Sequence, residues 1–167
     1  MILIGGGSRS GKSRAALQML RAAGRRLGFI ATAEPWDDEM CERITRHREE
    51  RGPAITTWEE PLAVARRIQA EDGNYDAILV DCLTLWLSNI MLAETFDVEA
   101  ECRALVESAA GASTKVILVT NEVGCGIVPE NALARKFRDA AGWLNQMAAE
   151  RATEVHWMIF GVGLRIK

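Results

Sequence analysis

Short apolar runs alternate along the 167-residue chain with stretches in which apolar side chains recur every three or four positions. A run of four to six apolar residues bounded by glycine, proline or an acid is too short for a helix and reads as a buried strand. Three-to-four spacing sustained over about ten residues reads as an amphipathic helix. On this reading strands fall at residues 1–4, 27–32, 55–58, 76–81, 115–120 and 155–160, and helices at 13–23, 35–50, 61–71, 83–93, 98–109 and 131–151. Gly24 and the pair Gly52-Pro53 supply stops. The second helix opens on Asp37, Asp38 and Glu39 and carries Arg43, Arg46 and Arg48 toward its end, the order that suits a helix macrodipole. NEVGCGIVP, after the fifth strand, reads as a loop, and Gly161 and Gly163 weaken any strand beyond Phe160.

Regular alternation of strand and helix predicts an α/β fold with a mostly parallel sheet flanked by helices. The length, with no repeat, low-complexity tract or linker, predicts a single domain over residues 1–167. Composition refines this only slightly. Hydrophobic residues make up 49% and charged residues 26%, the balance of a globular protein that needs no disulfide or metal staple. The formal charge of −3, from 20 basic and 23 acidic residues, speaks against a surface built for DNA or RNA, yet leaves room for a nucleotide held in a local cradle. Cys41, Cys82, Cys102 and Cys125 have no CxxC spacing and are expected to be buried free thiols of a reducing compartment. The chain begins with no basic segment ahead of an apolar run, so no signal peptide is expected. Its longest apolar stretch, VHWMIFGVGL, falls far short of the roughly 20 residues of a spanning helix. The expectation is a cytoplasmic protein with no membrane span.

The chemistry is concentrated at the first strand-to-helix bend. Gly6-Gly7-Ser8-Arg9-Ser10-Gly11-Lys12-Ser13 matches G-x-x-x-x-G-K-[ST] in full, with a strand before it and a helix after. Glycines let the backbone approach phosphate closely, and successive N–H groups together with the helix N-terminus then face the anion. Lys12 is expected to reach the β- and γ-phosphates and the Ser13 hydroxyl to sit on Mg²⁺. A P-loop also needs an acid at the end of a neighbouring buried strand to hold the metal. Asp81, closing AILVD, is the candidate, and it can cap the following helix as well. These features predict a P-loop enzyme that binds a purine triphosphate and transfers phosphoryl or nucleotidyl groups to a small acceptor. The base-reading NKxD motif of regulatory GTPases is missing, since Asn121 is followed by Glu-Val-Gly.

Of the two histidines, His156 lies in an apolar strand and reads as structural. His47 sits among Arg43, Arg46, Arg48 and Arg51, either on a solvated basic helix face or as a nucleophile among phosphate-holding guanidiniums. A neutral imidazole has a free lone pair at pH 7 and can attack phosphorus to form a covalent intermediate.

From the first strand to the final lysine the sequence resembles the bifunctional adenosylcobinamide kinase / adenosylcobinamide-phosphate guanylyltransferase family of cobalamin biosynthesis. The resemblance is carried by GGGSRSGKSR, IATAEPWDDEMCERITRHREERGP, ILVDCLTLWLSN, VILVTNEVGCGIVPENALARKFRDAAGWLNQ and GVGLRIK. It implies a RecA-like P-loop domain that tends to form homotrimers. It implies phosphoryl transfer from ATP or GTP to adenosylcobinamide, and then GMP transfer from GTP through a guanylylated histidine to adenosylcobinamide phosphate. The family's histidine falls on His47. Ala31, Thr32, Ala33, Arg48, Glu49, Glu50, Arg51, Glu59 and Asp81 fall at its guanine-nucleotide contacts, and the loop 121–131 is expected to border the corrinoid. Arg46 stands where some relatives carry a second histidine, and Trp143 and Phe160 replace smaller or polar residues. The alternative is a P-loop kinase of another small alcohol with no covalent nucleotidyl intermediate. A third reading is a nucleotide-dependent switch that consumes no nucleotide in the presence of a corrinoid.

Overall fold

Six of the predicted strands lie side by side and parallel in one sheet: β1 (Ile2–Gly6), β2 (Leu27–Ala31), β3 (Ile55–Glu59), β4 (Ala77–Asp81), β5 (Lys115–Val119) and β6 (Glu154–Ile159). A seventh, β7 (Val162–Arg165), runs antiparallel on the outer edge, giving the order β3-β2-β4-β5-β1-β6-β7. The computed structural model describes residues 1–35 and 37–167, and the side chains of all these except Glu39, Arg43, Arg46, His47 and Glu50. Among the described residues six helices connect the strands: α1 (Lys12–Ala22), α2 (Asp38–Arg51), α3 (Val64–Glu71), α4 (Leu83–Leu92), α5 (Val98–Gly111) and α6 (Ala132–Arg151).

The central strands β1, β2, β4 and β5 are apolar at almost every position because a parallel sheet is covered on both faces. Side chains alternate between the faces, so each strand feeds two cores. Ile2, Ile4, Phe29, Leu79, Ile117 and Val119 pack with Ala16 and Leu20 of α1. Leu3, Ile30, Ile78, Val80, Val116 and Leu118 pack against α3, α4, α5 and α6 through Ile68, Trp86, Leu105 and Leu144. Three helices begin on a capping side chain: Asp37 accepts from the Met40 N–H at 2.7 Å, Asp97 from Ala100 at 3.1 Å and Asn131 from Ala134 at 3.0 Å.

The predicted element order stands, with ends shifted by a few residues. The last strand is the correction. Gly161 does not weaken an extension but turns the corner of a hairpin. Phe160 and Gly161 have φ of 50° and 83°, the left-handed pair that a two-residue turn demands between Ile159 and Val162. Beyond it Val162, Leu164 and Ile166 keep the alternating apolar pattern of a strand. The cysteine expectation holds for Cys82 and Cys102, which are buried, but Cys41 and Cys125 are exposed. Among the described residues no helix is long and apolar enough to cross a membrane.

Candidate functional site

β1 delivers the glycine-rich loop to the C-terminal edge of the sheet, and the backbone there admits little but glycine. Gly6 has φ 147°, and a Cβ on it would lie 2.6 Å from the Met158 carbonyl and 2.9 Å from Ser10 Oγ. Gly11, at φ 96°, turns the chain into α1. Two neighbours pin the loop from either side: the Glu122 N–H donates to the Gly6 carbonyl at 3.1 Å, and the Gly161 N–H to the Ser10 carbonyl at 3.0 Å. Gly7, Ser8 and Arg9 are exposed at the crest. The start of α1 has no side-chain cap and no acid in its first turn. Its first N–H groups and the positive end of its dipole are therefore available to an anion. Lys12 is buried and folds across the loop, donating from Nζ to the Gly7 carbonyl at 2.5 Å and to Ser10 Oγ at 3.5 Å. A phosphate with stronger acceptor oxygens competes for that ammonium where it already lies.

Asp81 closes β4, opposite Ala31 of β2 and Val119 of β5. By alternation its side chain shares the face of Ala77 and Leu79, which is the face that α1 covers. Ser13, in the first turn of α1, and Asp81 therefore stand on one side of the sheet at the same edge. A hydroxyl and a carboxylate are hard oxygen donors, and Mg²⁺ is commonly held by one or two such groups together with substrate phosphates. No cluster of three metal-ligating acids, histidines or cysteines occurs among the described residues.

Thr32, expected at the nucleotide, is fully buried and spends its polar groups inside the fold. Its hydroxyl bonds both to the N–H and to the carbonyl of Cys82, its own N–H reaches the Asp81 carbonyl, and its carbonyl accepts from Asn89 Nδ2. Those bonds fix the backbone between half-buried Ala31 and Ala33. Farther out, α2 is tied back to the sheet by its last turn. Arg51 is buried with its guanidinium 4.2 Å above the Phe29 ring, and Arg48 pairs with Glu59 at the end of β3. Glu49 is exposed. The backbones of His47 and Glu50 belong to α2, while their side chains lie outside the described residues.

Sequence reading missed a polar network that frames this edge. Thr84 Oγ accepts from the Asn121 backbone N–H at 3.0 Å and from its Nδ2 at 2.9 Å. Thr120 donates to Asn145 Oδ1 at 2.7 Å, and Arg138 Nη2 holds the Gly124 carbonyl at 2.7 Å. These bonds fix the start of the loop 121–131 beside the cradle. Ile127 and Val128, farther along it, are exposed. Glu122 also went unmarked, although it follows a buried strand much as Asp81 ends one. His156 is structural as expected, its Nε2 lying 3.0 Å from Glu154 Oε2. Burial pushes the Cys102 thiol up to about 12 and raises that of Cys82, so neither is a reactive thiolate.

A parallel sheet whose first strand runs into such a loop, with an acid at the end of a buried strand on the same side, defines a P-loop nucleotide-binding protein of RecA-like architecture. Among solved structures the RadB recombinase superposes with a TM-score of 0.53 at 16% identity, over 93% of this chain and 72% of that one, a likeness of fold alone. The family is narrower: residues 2–166 match the model of cobinamide kinase / cobinamide phosphate guanyltransferase (CobU), and the chain belongs to that family. It is 42% identical to the bifunctional adenosylcobalamin biosynthesis protein CobP of Pseudomonas aeruginosa, over 99% of this chain and 96% of that protein. With the CobU protein of Salmonella typhimurium it shares 41% identity over 100% and 99% of the two chains.

Proposed function

We propose that this chain carries out both steps named for its family, within one domain over residues 1–167. It transfers the γ-phosphoryl of ATP or GTP to the aminopropanol hydroxyl of adenosylcobinamide. It then passes GMP from GTP, by way of a guanylylated His47, to adenosylcobinamide phosphate, yielding adenosyl-GDP-cobinamide. The observation that carries this reading is a fully formed phosphate cradle, with the uncapped start of α1 behind it, in a chain matched to the family along its whole length.

The backbone of residues 6–11 and the N-terminus of α1 bind the phosphates, and Lys12 supplies the ammonium charge. Ser13 and Asp81 would hold Mg²⁺, which supplies charge neutralisation on the phosphate oxygens. Ala31, Thr32, Ala33, Arg48, Glu49, Glu50, Arg51 and Glu59 form the guanine-nucleotide side of the cleft. The Arg51–Phe29 and Arg48–Glu59 contacts support this by tethering α2, the helix that carries His47, to the strands leading there. The neutral imidazole attacks the α-phosphorus and pyrophosphate departs. The apolar face along β6 and β7 supports assembly into a homotrimer, and the reading includes a cytoplasmic location.

Incubation with α-labelled GTP and Mg²⁺ tests this. A label stable to base and labile to acid, the signature of a phosphoramidate, is expected on the wild-type protein. His47→Ala abolishes it while GTP binding stays within roughly tenfold, since one neutral contact contributes about 1 kcal/mol. Label persisting in His47→Ala rejects that histidine as the nucleophile. A wild-type protein that phosphorylates a different alcohol and takes no label is instead a simple P-loop kinase.

A further inference from the structure

The two half-reactions make different demands on protons. An imidazole attacks phosphorus with a lone pair that is already free, whereas an alcohol must lose its proton as the new O–P bond forms. The kinase step therefore needs an acceptor near the γ-phosphate, and neither Lys12 nor Asp81, committed to phosphate and metal, is suited to it.

Glu122 meets the requirement by its position. In the sheet order β5 is the immediate neighbour of β1, the strand that delivers the cradle. Glu122 lies three residues beyond β5, and its N–H is bonded to the first cradle glycine, Gly6, at 3.1 Å. The residues around it are clamped. Asn121 is held twice by Thr84, and the Gly124 carbonyl is held by Arg138. The half-buried Glu122 carboxylate accepts the Gly124 N–H through Oε1. That bond orients the group, and a carboxylate has several further lone pairs for a substrate hydroxyl.

We propose that Glu122 is the proton acceptor of the kinase half-reaction, resting on the two-step reading above. The substrate hydroxyl oxygen forms a bond to the γ-phosphorus, and the bond from that phosphorus to the β,γ-bridging oxygen breaks. Its electron pair leaves with the nucleoside diphosphate, and the hydroxyl proton passes to the Glu122 carboxylate, which returns it to solvent. Glu122 is free of any part in the attack by His47.

Glu122→Gln separates this from a structural role, because the amide oxygen still accepts the Gly124 N–H while the group can no longer take a proton. General-base catalysis contributes typically 10²–10⁴-fold, so cobinamide kinase turnover is expected to fall by about 10²-fold or more, with little change in KM for ATP. Glu122→Asp, which keeps the carboxylate, is expected to retain more turnover than the amide. The loss should be confined to the kinase step, with covalent labelling from α-labelled GTP intact. Kinase turnover within a few-fold of wild type overturns the assignment, and so does equal loss of labelling, which marks a damaged cradle. If the wild-type protein phosphorylates no cobinamide at all, the two-step reading fails first and takes this assignment with it.

Discussion

The Thr32 hydroxyl donates to the Cys82 carbonyl and accepts from the Cys82 N–H, each at 2.8 Å, so that one buried side chain bonds both backbone polar groups of a residue at the neighbouring strand's exit. Thr32 follows β2 and Cys82 follows β4, and the carboxylate of Asp81 is the last group before that closure. Thr32→Val keeps the shape and removes the hydroxyl, stranding the buried Cys82 N–H while the Cys82 carbonyl keeps its bond from the Trp86 N–H. Leaving such a group unsatisfied costs about 1–3 kcal/mol, so urea unfolding should show a loss in that range. Thr32→Ser retains both bonds and should recover most of it. A valine variant as stable as wild type would mean that the Asp81–Cys82 peptide is held by other contacts.

This junction also marks the limit of what the sequence discloses. The cradle is legible because its chemistry is contiguous: residues 6–13 carry glycines, lysine and serine within one bend. Asp81 stands out in the sequence because an acid closes the apolar run AILVD. Thr32 and Cys82 are 50 positions apart, and nothing local in either tells of the other. The Arg51–Phe29 stack is of the same kind, since an arginine among arginines reads as solvated until a ring is found beneath it. In the sequence alone Gly161 reads as a breaker, because a glycine in an apolar run serves equally as a strand end or as a hairpin corner. Only the pairing of Ile159 with Val162 decides between them.

Acid should loosen the end of the sheet opposite the cradle. Asp76 accepts from the N–H groups of Arg25 and Arg26 at 2.8 and 3.0 Å and from the Arg26 guanidinium at 2.9 Å. These bonds, the backbone ones first, lower its carboxyl from 3.8 to about 2. A carboxyl depressed in the folded state adds stability that is fully present above its unfolded value and is lost as pH falls through the folded one. The window here runs from about pH 4 down to about pH 2. Asp76→Asn should therefore melt below wild type at pH 7 and converge with it as the pH approaches 2. Thermal melts that stay parallel across this window would show that Asp76 is not bonded in this way.

The β6–β7 edge leads to a prediction about assembly. Trp157 pairs with Leu164 and Ile159 with Val162, and directly opposed side chains share a face. Alternation puts Val155 on that face too, the side on which it packs with Leu144 and Ala148 of α6. Beyond the reach of α6 the face is uncovered: Val162 is 70% exposed, Leu164 57% and Ile166 60%. Fully burying one such side chain contributes about 1.5–3 kcal/mol, enough for a handful of them to hold subunits together once copied around a closed ring. Because the Gly161 N–H also braces Ser10 of the cradle, an assembly through this edge would bring a subunit boundary close to the nucleotide. Light scattering on the wild-type protein should give three times the 18.4 kDa of one chain. The double variant Val162→Glu/Leu164→Glu should shift it toward a single chain, and Arg165→Ala, on the opposite face of β7, should leave the mass unchanged. A wild-type protein of one-chain mass, or a trimer indifferent to the two glutamates, would mean that this apolar edge is not the subunit contact.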